Sequence, residues 1–208
     1  MFTIYDQYRG ISAACISDAM EGLNNMNGSI KPLKEEYRVS GPACTVKMLA
    51  NDNLIVLEGI RTAKPGDVLV VDAKGYDYNA IAGHFVIGMA KTLGLAGIVA
   101  DGTIRDIAGI KDLDFPVFCK GTTAAASGRG GIGEVDVSVS CGGVIVNPRD
   151  IIVGDADGVV AVPLEQAEEV LAAALGKEQR DRERAESVLG DPEAVRCYLD
   201  RVLKRICE

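Results

Sequence analysis

The sequence predicts an α/β domain built on a mixed sheet, followed by a helical carboxyl-terminal arm. Strand-like and helix-like segments alternate over residues 67–112, short strand-like runs crowd residues 135–162, and the pattern turns helical at residue 164. We therefore predict one domain over residues 1–163 and an arm over residues 164–208. With 208 residues, of which 48% are hydrophobic, the chain can bury a core and is not typical of disordered proteins.

The first third of the chain predicts a short helix and two strands. Residues 12–23 begin with Ser12, a capping residue, and predict a helix that ends in an Asn-Asn pair. Residues 39–49 contain a Gly-Pro pair, which favours a bent or edge strand. Pro, Gly and Asp at residues 65–67 predict a turn, and the apolar run at residues 68–71 predicts a buried strand.

A helix and a second buried strand follow. Apolar residues at a spacing of four predict a helix over residues 78–93 with a single apolar stripe. Residues 97–100 predict the strand, Asp101 and Gly102 a turn, and Thr103 the approximate start of another helix. This order implies a right-handed parallel crossover.

The last part of the domain predicts a cluster of short strands, and the arm predicts two helices. The strand-like runs are residues 135–140, 144–146, 151–153 and 159–162. Residues 177–186 are polar on every side, so this part of the arm either lies in water or reaches another subunit. Asp-Pro-Glu at residues 191–193 predicts the cap of a final helix.

Charge and cysteine content exclude several classes of protein. The formal net charge is −8, without a run of basic residues, which argues against a nucleic-acid partner. The six cysteines form no C-x-x-C pair and predict reduced thiols in a cytoplasmic protein. No apolar stretch approaches the ~20 residues of a membrane span, so no membrane association is predicted.

The strongest candidate site is Arg105 beside Asp106, where a predicted buried strand gives way to a helix. Ligands of open sheets bind at the carboxyl ends of strands. A guanidinium next to a carboxylate can hold a carboxylated ligand and a hard divalent cation together. The alternative is a turn followed by an acidic first helical turn, which would need no ligand.

Two further segments are weaker candidates. If the helix begins near Gly83 instead of residue 78, the free amides of residues 83–86 could bind an anion; this segment contains His84, the one histidine, which could equally be a packed or surface residue. The Gly-rich residues 121–133 lack the G-K-S/T ending of a phosphate-binding loop and predict a mobile loop with Arg129 in solvent.

Short motifs follow one another in a set order along residues 12–163. They are ISDAM (16–20), GPACTV (41–46), PGDVLVVDA (65–73), A-x-x-G (80–83), GLAGIVADGTIRD (94–106), CGGVIVNP (141–148) and VGDADGVVAVP (153–163). Their order and spacing resemble the RraA-like family, which includes the class II 4-hydroxy-4-methyl-2-oxoglutarate aldolases. The resemblance covers most of the chain.

The resemblance implies a swivelling phosphohistidine-domain-like mixed sheet, assembled as a homotrimer or homohexamer with sites between subunits. By this similarity Asp106 would bind Mg²⁺ or Mn²⁺, Arg105 would contact a small 2-oxo acid, and the amides of Gly83, His84, Phe85 and Val86 would meet its carboxylate. The implied activity is aldol cleavage or oxaloacetate decarboxylation through a pyruvate enolate.

The chain departs from the family pattern at two positions. His84 stands where such aldolases carry an acid that orients a catalytic water, and we expect it to accept a proton instead. Arg149 stands where Gly usually follows Pro. The family also takes an acid from a neighbouring subunit, for which Glu178, Glu183 and Glu186 are all candidates.

Two other functions remain open from the sequence. Because the family's founding member restrains a ribonuclease, the alternative is a non-catalytic regulator; that protein lacks the acid found here at Asp106, which favours the enzyme. A metal enzyme for an unrelated, bulkier acid is a further alternative, which His84 and Arg129 would allow.

Overall fold

The computed structural model describes residues 3–204. The strands are β1 (Lys31–Pro32), β2 (Val39–Met48), β3 (Val68–Asp72), β4 (Gly97–Ile104), β5 (Val117–Thr122), β6 (Gly133–Val135), β7 (Val139–Cys141), β8 (Val144–Val146), β9 (Ile151–Asp155) and β10 (Gly158–Val162). The α-helices are α1 (Ile4–Gln7), α2 (Ala13–Ala19), α3 (Leu54–Thr62), α4 (His84–Thr92), α5 (Ile107–Leu113), α6 (Ala167–Val188) and α7 (Pro192–Lys204).

A mixed eight-stranded sheet forms the centre of the molecule. Its order is β1-β5-β4-β3-β2-β9-β10, with β6 also paired to β2, and β7 and β8 form a separate two-stranded sheet. The strands β2, β3, β4 and β5 are parallel, whereas β9 and β10 are antiparallel. The predicted mixed sheet with flanking helices is therefore confirmed.

Strand β2 lies in the middle of the sheet, so of the two alternatives predicted for residues 39–49, a bent or an edge strand, the edge strand is wrong. The strand pairs with β9 over its first four residues and with β3 from Ala43 onward. Pro42 lies at this change of partner, where the next residue, Ala43, donates its N–H to Asp150. A Cβ on Gly41 would lie within 3.0 Å of the Gly66 carbonyl oxygen, so the close approach of two backbones requires glycine there.

The region before and after β4 also differs from the prediction. Helix α4 begins at His84, not at residue 78, because the segment before it is extended: Ile81 donates its N–H to Thr103 at 2.8 Å, and Ala82 accepts from Arg105 at 3.1 Å. Because the extended segment before α4 pairs with one side of β4 and β5 pairs with the other, β4 continues through residues 101–104. The predicted turn there is absent, and α5 begins at Ile107 instead of near Thr103.

Three apolar clusters hold these layers together. One lies between the parallel strands and α3, α4 and α5; a second lies under β7 and β8; the third joins α1, α2 and the first half of α6 to β9 and β10. After residue 174, α6 buries no side chain, and α7 buries none. The arm is helical as predicted up to residue 204, and its last four residues lie outside the described part.

Within residues 3–204, none of the helices combines the length and the apolar character that crossing a bilayer requires.

Candidate functional site

A small cavity of about 140 Å³ lies where β4 ends and α4 begins. Its volume is below the ~300 Å³ at which pockets for drug-sized molecules start, so it suits a small ligand. It is lined by Asn53, Ala80, Ala82, Gly83, Phe85, Val86, Arg105, Asp106, Ala126, Ser127 and Arg129. The structure thus brings together both members of the strongest predicted pair and three of the four residues of the predicted anion turn.

Arg105 and Asp106 leave β4 side by side and face this cavity. Asp106 has a φ of 62°, a left-handed conformation that Asp tolerates better than most residues. Its Oδ2 accepts the N–H of His84 at 3.3 Å and lies 3.8 Å from Nε of Arg105. The two side chains are 43% and 52% exposed, so they are not locked in an internal ion pair and remain available to a ligand.

The first half of the same motif is structural. Asp101 is buried; its Oδ2 accepts the N–H of Gly142 at 3.1 Å, and its Oδ1 lies 3.5 Å from Nζ of Lys120. Only the last two residues of the motif therefore reach the cavity.

Gly83 provides the space that the Asp106 carboxylate occupies. A Cβ at this position would lie within 3.0 Å of Oδ2 of Asp106 and 3.2 Å from Cγ of Arg105. The φ of Gly83 is −131°, which other residues can also adopt. Glycine is therefore required by the close approach of the Asp106 carboxylate, not by the backbone conformation.

The first turn of α4 faces the cavity with free amides. Gly83 is the N-cap and makes no side-chain capping hydrogen bond, and Asp106 accepts the N–H of His84 alone. Phe85 and Val86 line the cavity, and their N–H groups have no acceptor among the hydrogen bonds of residues 3–204. Unpaired N–H groups at a helix start favour an anion. The alternative in which the helix begins near Gly83 is thus confirmed.

His84 contributes a backbone N–H to this site, whereas its ring points elsewhere. The imidazole packs on α5, where a Cβ on Gly109 would lie 2.9 Å from Cδ2 of His84. The ring also lines a separate apolar cavity of about 550 Å³ beside Leu57 and Met89. The structure therefore does not place the imidazole among the groups around Arg105, and its role as a proton acceptor stays a prediction.

The Gly-rich loop makes hydrogen bonds to the segments beside it, and its predicted mobility stays a prediction. Ala80 donates its N–H to Ala125 at 2.8 Å, and Oγ of Ser127 donates to Ala80 at 2.9 Å. Gly128 exchanges two further backbone hydrogen bonds with residues 51 and 53. Arg129 is exposed at the rim of the cavity.

Asn53 and Ser127 lie at the cavity although no motif marks them in the sequence. The Gly-rich segment points to Arg129, but not to where it lies. The loop is brought here by its hydrogen bonds to residues 49–53 and to residues 78–80, which are distant from it in sequence.

Arg149, the second departure from the family pattern, lies outside the cavity. Its Nη1 is 2.7 Å from Oδ1 of the buried Asp67, and its guanidinium stacks on the ring of Tyr5. Its φ of 74° lies in the left-handed region, which glycine adopts freely and few other residues do.

The donor set suits a cation that keeps most of its water. Asp106 is the one acidic residue that lines the cavity, and no group of three or more His, Cys, Asp or Glu side chains forms a metal site within residues 3–204. Mg²⁺ is commonly bound by one or two carboxylates plus water, which matches a single, half-exposed carboxylate. Glu178, Glu183 and Glu186 lie on α6 and do not line this cavity.

Comparison with known proteins places the chain in a family. The RraA-like family model, described as Aldolase/RraA, matches residues 13–161. A protein of Halalkalibacterium halodurans named "Putative 4-hydroxy-4-methyl-2-oxoglutarate aldolase" is 52% identical over 197 residues, which cover 95% of this chain and 94% of the relative.

Two solved structures have the same fold. Streptomyces coelicolor RraAS2, described as an unusual member of the RNase ES inhibitor RraA family, is 31% identical with a TM-score of 0.76, over 86% of this chain and 93% of that one. The RNA-processing inhibitor RraA from Thermus thermophilis is 27% identical with a TM-score of 0.67, over 73% and 92%. The resemblance found in the motifs is thereby confirmed, and the chain belongs to the RraA-like family.

Proposed function

We propose that this protein is a metal-dependent carbon–carbon lyase that acts on a small 2-oxo acid. The observation that supports it most directly is the pair of Arg105 and Asp106, half-exposed in one cavity with the free amides of α4. The relative named as an aldolase supports the same class of reaction. The candidate reactions are aldol cleavage of 4-hydroxy-4-methyl-2-oxoglutarate and decarboxylation of oxaloacetate.

The substrate's first carboxylate would bind at the start of α4. The N–H groups of Phe85 and Val86 line the cavity, and a helix start favours negative charge by ~0.3–1 kcal/mol at exposed positions. The N–H of His84 is engaged by Asp106, so it would orient that carboxylate and not the substrate.

Arg105 would stabilise the charge that develops during bond cleavage. In both reactions the electron pair of the breaking bond moves toward C2, which leaves an enolate with negative charge on the former carbonyl oxygen. A guanidinium aimed at that oxygen acts like an oxyanion-hole donor, whose loss typically costs ~3 kcal/mol or a hundredfold or more in rate. Carbon C3 then takes a proton to give pyruvate.

Asp106 would hold Mg²⁺ or Mn²⁺, mainly through water. When bound, such a cation withdraws electrons from the oxo group and carboxylate of the acid. The left-handed backbone of Asp106 and the His84 N–H fix where the carboxylate points before any cation arrives.

The two reactions differ in what they require of the protein. Loss of CO₂ needs no base, whereas aldol cleavage must also remove the proton of the C4 hydroxyl group. Asp106 is the one carboxylate that lines the cavity, and no imidazole does. Aldol cleavage would therefore use a water, or an acid such as Glu178, Glu183 or Glu186 from a second copy in a homotrimer or homohexamer.

A non-catalytic regulator is the second candidate, because one solved relative is described as an RNA-processing inhibitor and another as an unusual member of the RNase ES inhibitor RraA family. Purified protein that slows a purified ribonuclease at stoichiometric concentration, while Asp106→Asn slows it equally, would support that function and not the lyase.

The lyase is tested by pyruvate release from each acid, with Mg²⁺, with Mn²⁺ and with a chelator. We expect metal-stimulated turnover that falls a hundredfold or more in Asp106→Asn and in Arg105→Met. Asp112→Asn, a change of an exposed acid on α5, is the matched control and should retain full activity. Equal, metal-independent rates in the wild type and Asp106→Asn would overturn the proposal.

A further inference from the structure

The cavity is lined by a second arginine that the proposed chemistry does not use. Arg105 and Arg129 both line it, against one carboxylate, Asp106. The cavity is thus locally positive in a protein whose formal net charge is −8. Since Arg105 serves the reacting oxygen, Arg129 is left to attract a further negative group.

We propose that Arg129 is a specificity-determining residue that binds the second carboxylate of a dicarboxylic 2-oxo acid. The inference rests on the proposed function, because that function assigns the first carboxylate to the amides of Phe85 and Val86. A guanidinium is the side chain best matched to a carboxylate, since it can donate two parallel hydrogen bonds.

The loop that carries Arg129 is built around one buried acid. Asp52 is 5% exposed; its Oδ1 accepts the N–H of Leu54 at 3.1 Å and its Oδ2 that of Ile132 at 3.0 Å. Backbone hydrogen bonds, that of Ile132 first, lower the pKa of Asp52 below its ordinary value. A Cβ on Gly130 would lie 2.7 Å from Oδ2, so the backbone wraps directly around this carboxylate.

Asp52 is therefore a positioning residue for Arg129. It fixes the backbone on the carboxyl side of Arg129, and Gly128 fixes the other side through hydrogen bonds with the backbone of Asn51 and Asn53. A long side chain on a fixed backbone loses less freedom on binding than one on a mobile loop, so the guanidinium is partly preorganised.

Asn53 supplies a second polar group on the same side of the cavity. It is the N-cap residue of α3, yet its side chain makes no capping hydrogen bond. Asn53 lines the cavity, and an uncommitted amide side chain can donate to a carboxylate.

The two candidate reactions would respond differently to Arg129. In aldol cleavage the distal carboxylate keeps its charge throughout, so Arg129 contributes equally to substrate and transition state and should affect KM, not kcat. In oxaloacetate decarboxylation that carboxylate leaves as neutral CO₂, so Arg129 stabilises the ground state, and its loss should raise KM while kcat is unchanged or higher.

Binding of two unreactive acids separates this role from catalysis. The probes are 2-oxoglutarate and 2-oxopentanoate, which share a five-carbon chain and differ in the distal carboxylate; their affinities are measured by calorimetry with Mg²⁺. We expect the wild type to bind 2-oxoglutarate on the order of 10- to 100-fold more tightly, the range for a charge-assisted hydrogen bond. Arg129→Met should abolish that preference, Arg129→Lys should retain part of it, and Arg182→Met, an exposed arginine on α6, should leave it unchanged.

Asp52→Asn tests the positioning role. It should reduce the preference for 2-oxoglutarate while the affinity for 2-oxopentanoate and the circular dichroism spectrum stay as in the wild type, and Arg129→Met in that background should add little. A preference that survives in Arg129→Met would overturn the inference and leave the lyase intact. Failure of the wild type to bind either acid, with no turnover of the two substrates, would overturn both.

Discussion

Gly83 and Asp106 show how closely a single residue controls this site. The Asp106 carboxylate occupies the volume that any side chain at position 83 would need. An aspartate at the end of a strand is common, but an aspartate that points back at a glycine N-cap is specific to this arrangement. The position of the carboxylate is therefore encoded by two residues that lie 23 positions apart in the sequence.

Gly83→Ala should impair catalysis far more than folding. The added Cβ would displace the Asp106 carboxylate and the Arg105 stem, while a φ of −131° is accessible to alanine. A displacement of about 1 Å at such a site costs on the order of a hundredfold in rate. We expect that loss in kcat/KM, with the free energy of unfolding changed by less than ~1 kcal/mol.

Gly88→Ala in the same helix is the matched control. Its Cβ would meet only Cδ1 of Leu113, at 3.9 Å, and alanine stabilises a helix interior by ~0.5–1 kcal/mol over glycine. Activity should be retained and the denaturation midpoint raised. Equal loss of activity in both variants would show that helix α4, and not the Asp106 position, is what the substitution perturbs.

For single residues, the sequence predicts which side chains belong to the site better than it predicts where a side chain points. Arg105, Asp106 and Gly83 are predicted from their motif and lie together as expected. The direction of the His84 ring depends on α5, where Gly109 leaves room for it, and no local pattern contains that information. The location of Arg129 cannot be predicted from the local sequence either, because it depends on hydrogen bonds to residues distant in sequence.

The buried Asp52 holds the Gly-rich loop through a hydrogen bond from its backbone. Because the Asp52 carboxylate is ionisable, the free energy of unfolding should depend on pH. Its pKa is lowered in the folded protein, chiefly by the N–H of Ile132, so folding favours the ionised form. The resulting stability is present above the unfolded-state pKa of 3.8 and is lost as the pH falls through the lower folded-state value.

Asp52→Ala should lower the free energy of unfolding at pH 7 by ~1–3 kcal/mol, since it leaves the part-buried N–H groups of Leu54 and Ile132 without an acceptor. Urea denaturation from pH 7 to pH 2.5 should show the difference between wild type and variant shrinking below pH 4. Asp77→Ala, a change of an exposed acid in the segment before α4, is the control. A difference that stays constant over the whole range would contradict the role of the ionised carboxylate.

At the scale of elements, strands bounded by clear turns are predicted well, as β3 shows. The helix expected from residue 78 fails because Ile81 fits the apolar stripe by spacing although its N–H pairs with Thr103 of β4. A fourfold spacing cannot distinguish a helical stripe from an extended segment that precedes a helix. The prediction of an edge strand at residues 39–49 fails for a similar reason. The Gly-Pro pair lies where β2 changes its partner strand, and in the sequence such a pair looks the same as one in an edge strand.

Within residues 3–204, helix α7 at the end of the arm buries none of its side chains. Helix α6 packs on α2 through its first half, and Lys177 lies 3.0 Å from Asp18 at the end of that contact. Beyond it, α7 exposes Leu199, Val202 and Leu203. Exposed apolar side chains on an amphipathic helix favour contact with another chain.

We expect light scattering to give a mass of three or six copies of the 21.9 kDa chain. Removal of residues 190–208 should lower that mass without unfolding the domain, because α7 contributes no buried side chain. A wild type that is monomeric at micromolar concentration would contradict this prediction. No second copy could then supply an acid, and water would have to be the base for aldol cleavage.

We infer that Arg105, Asp106 and the amides of α4 bind one 2-oxo acid and one cation in a single cavity. A crystal structure of the protein with Mg²⁺ and pyruvate tests this arrangement. We expect the cation at Asp106, directly or through one water, with the pyruvate carboxylate on the N–H groups of Phe85 and Val86 and its oxo group at Arg105. Pyruvate bound in a different cavity, or Arg105 and Asp106 closed on each other beside it, would show that the proposed site is wrong.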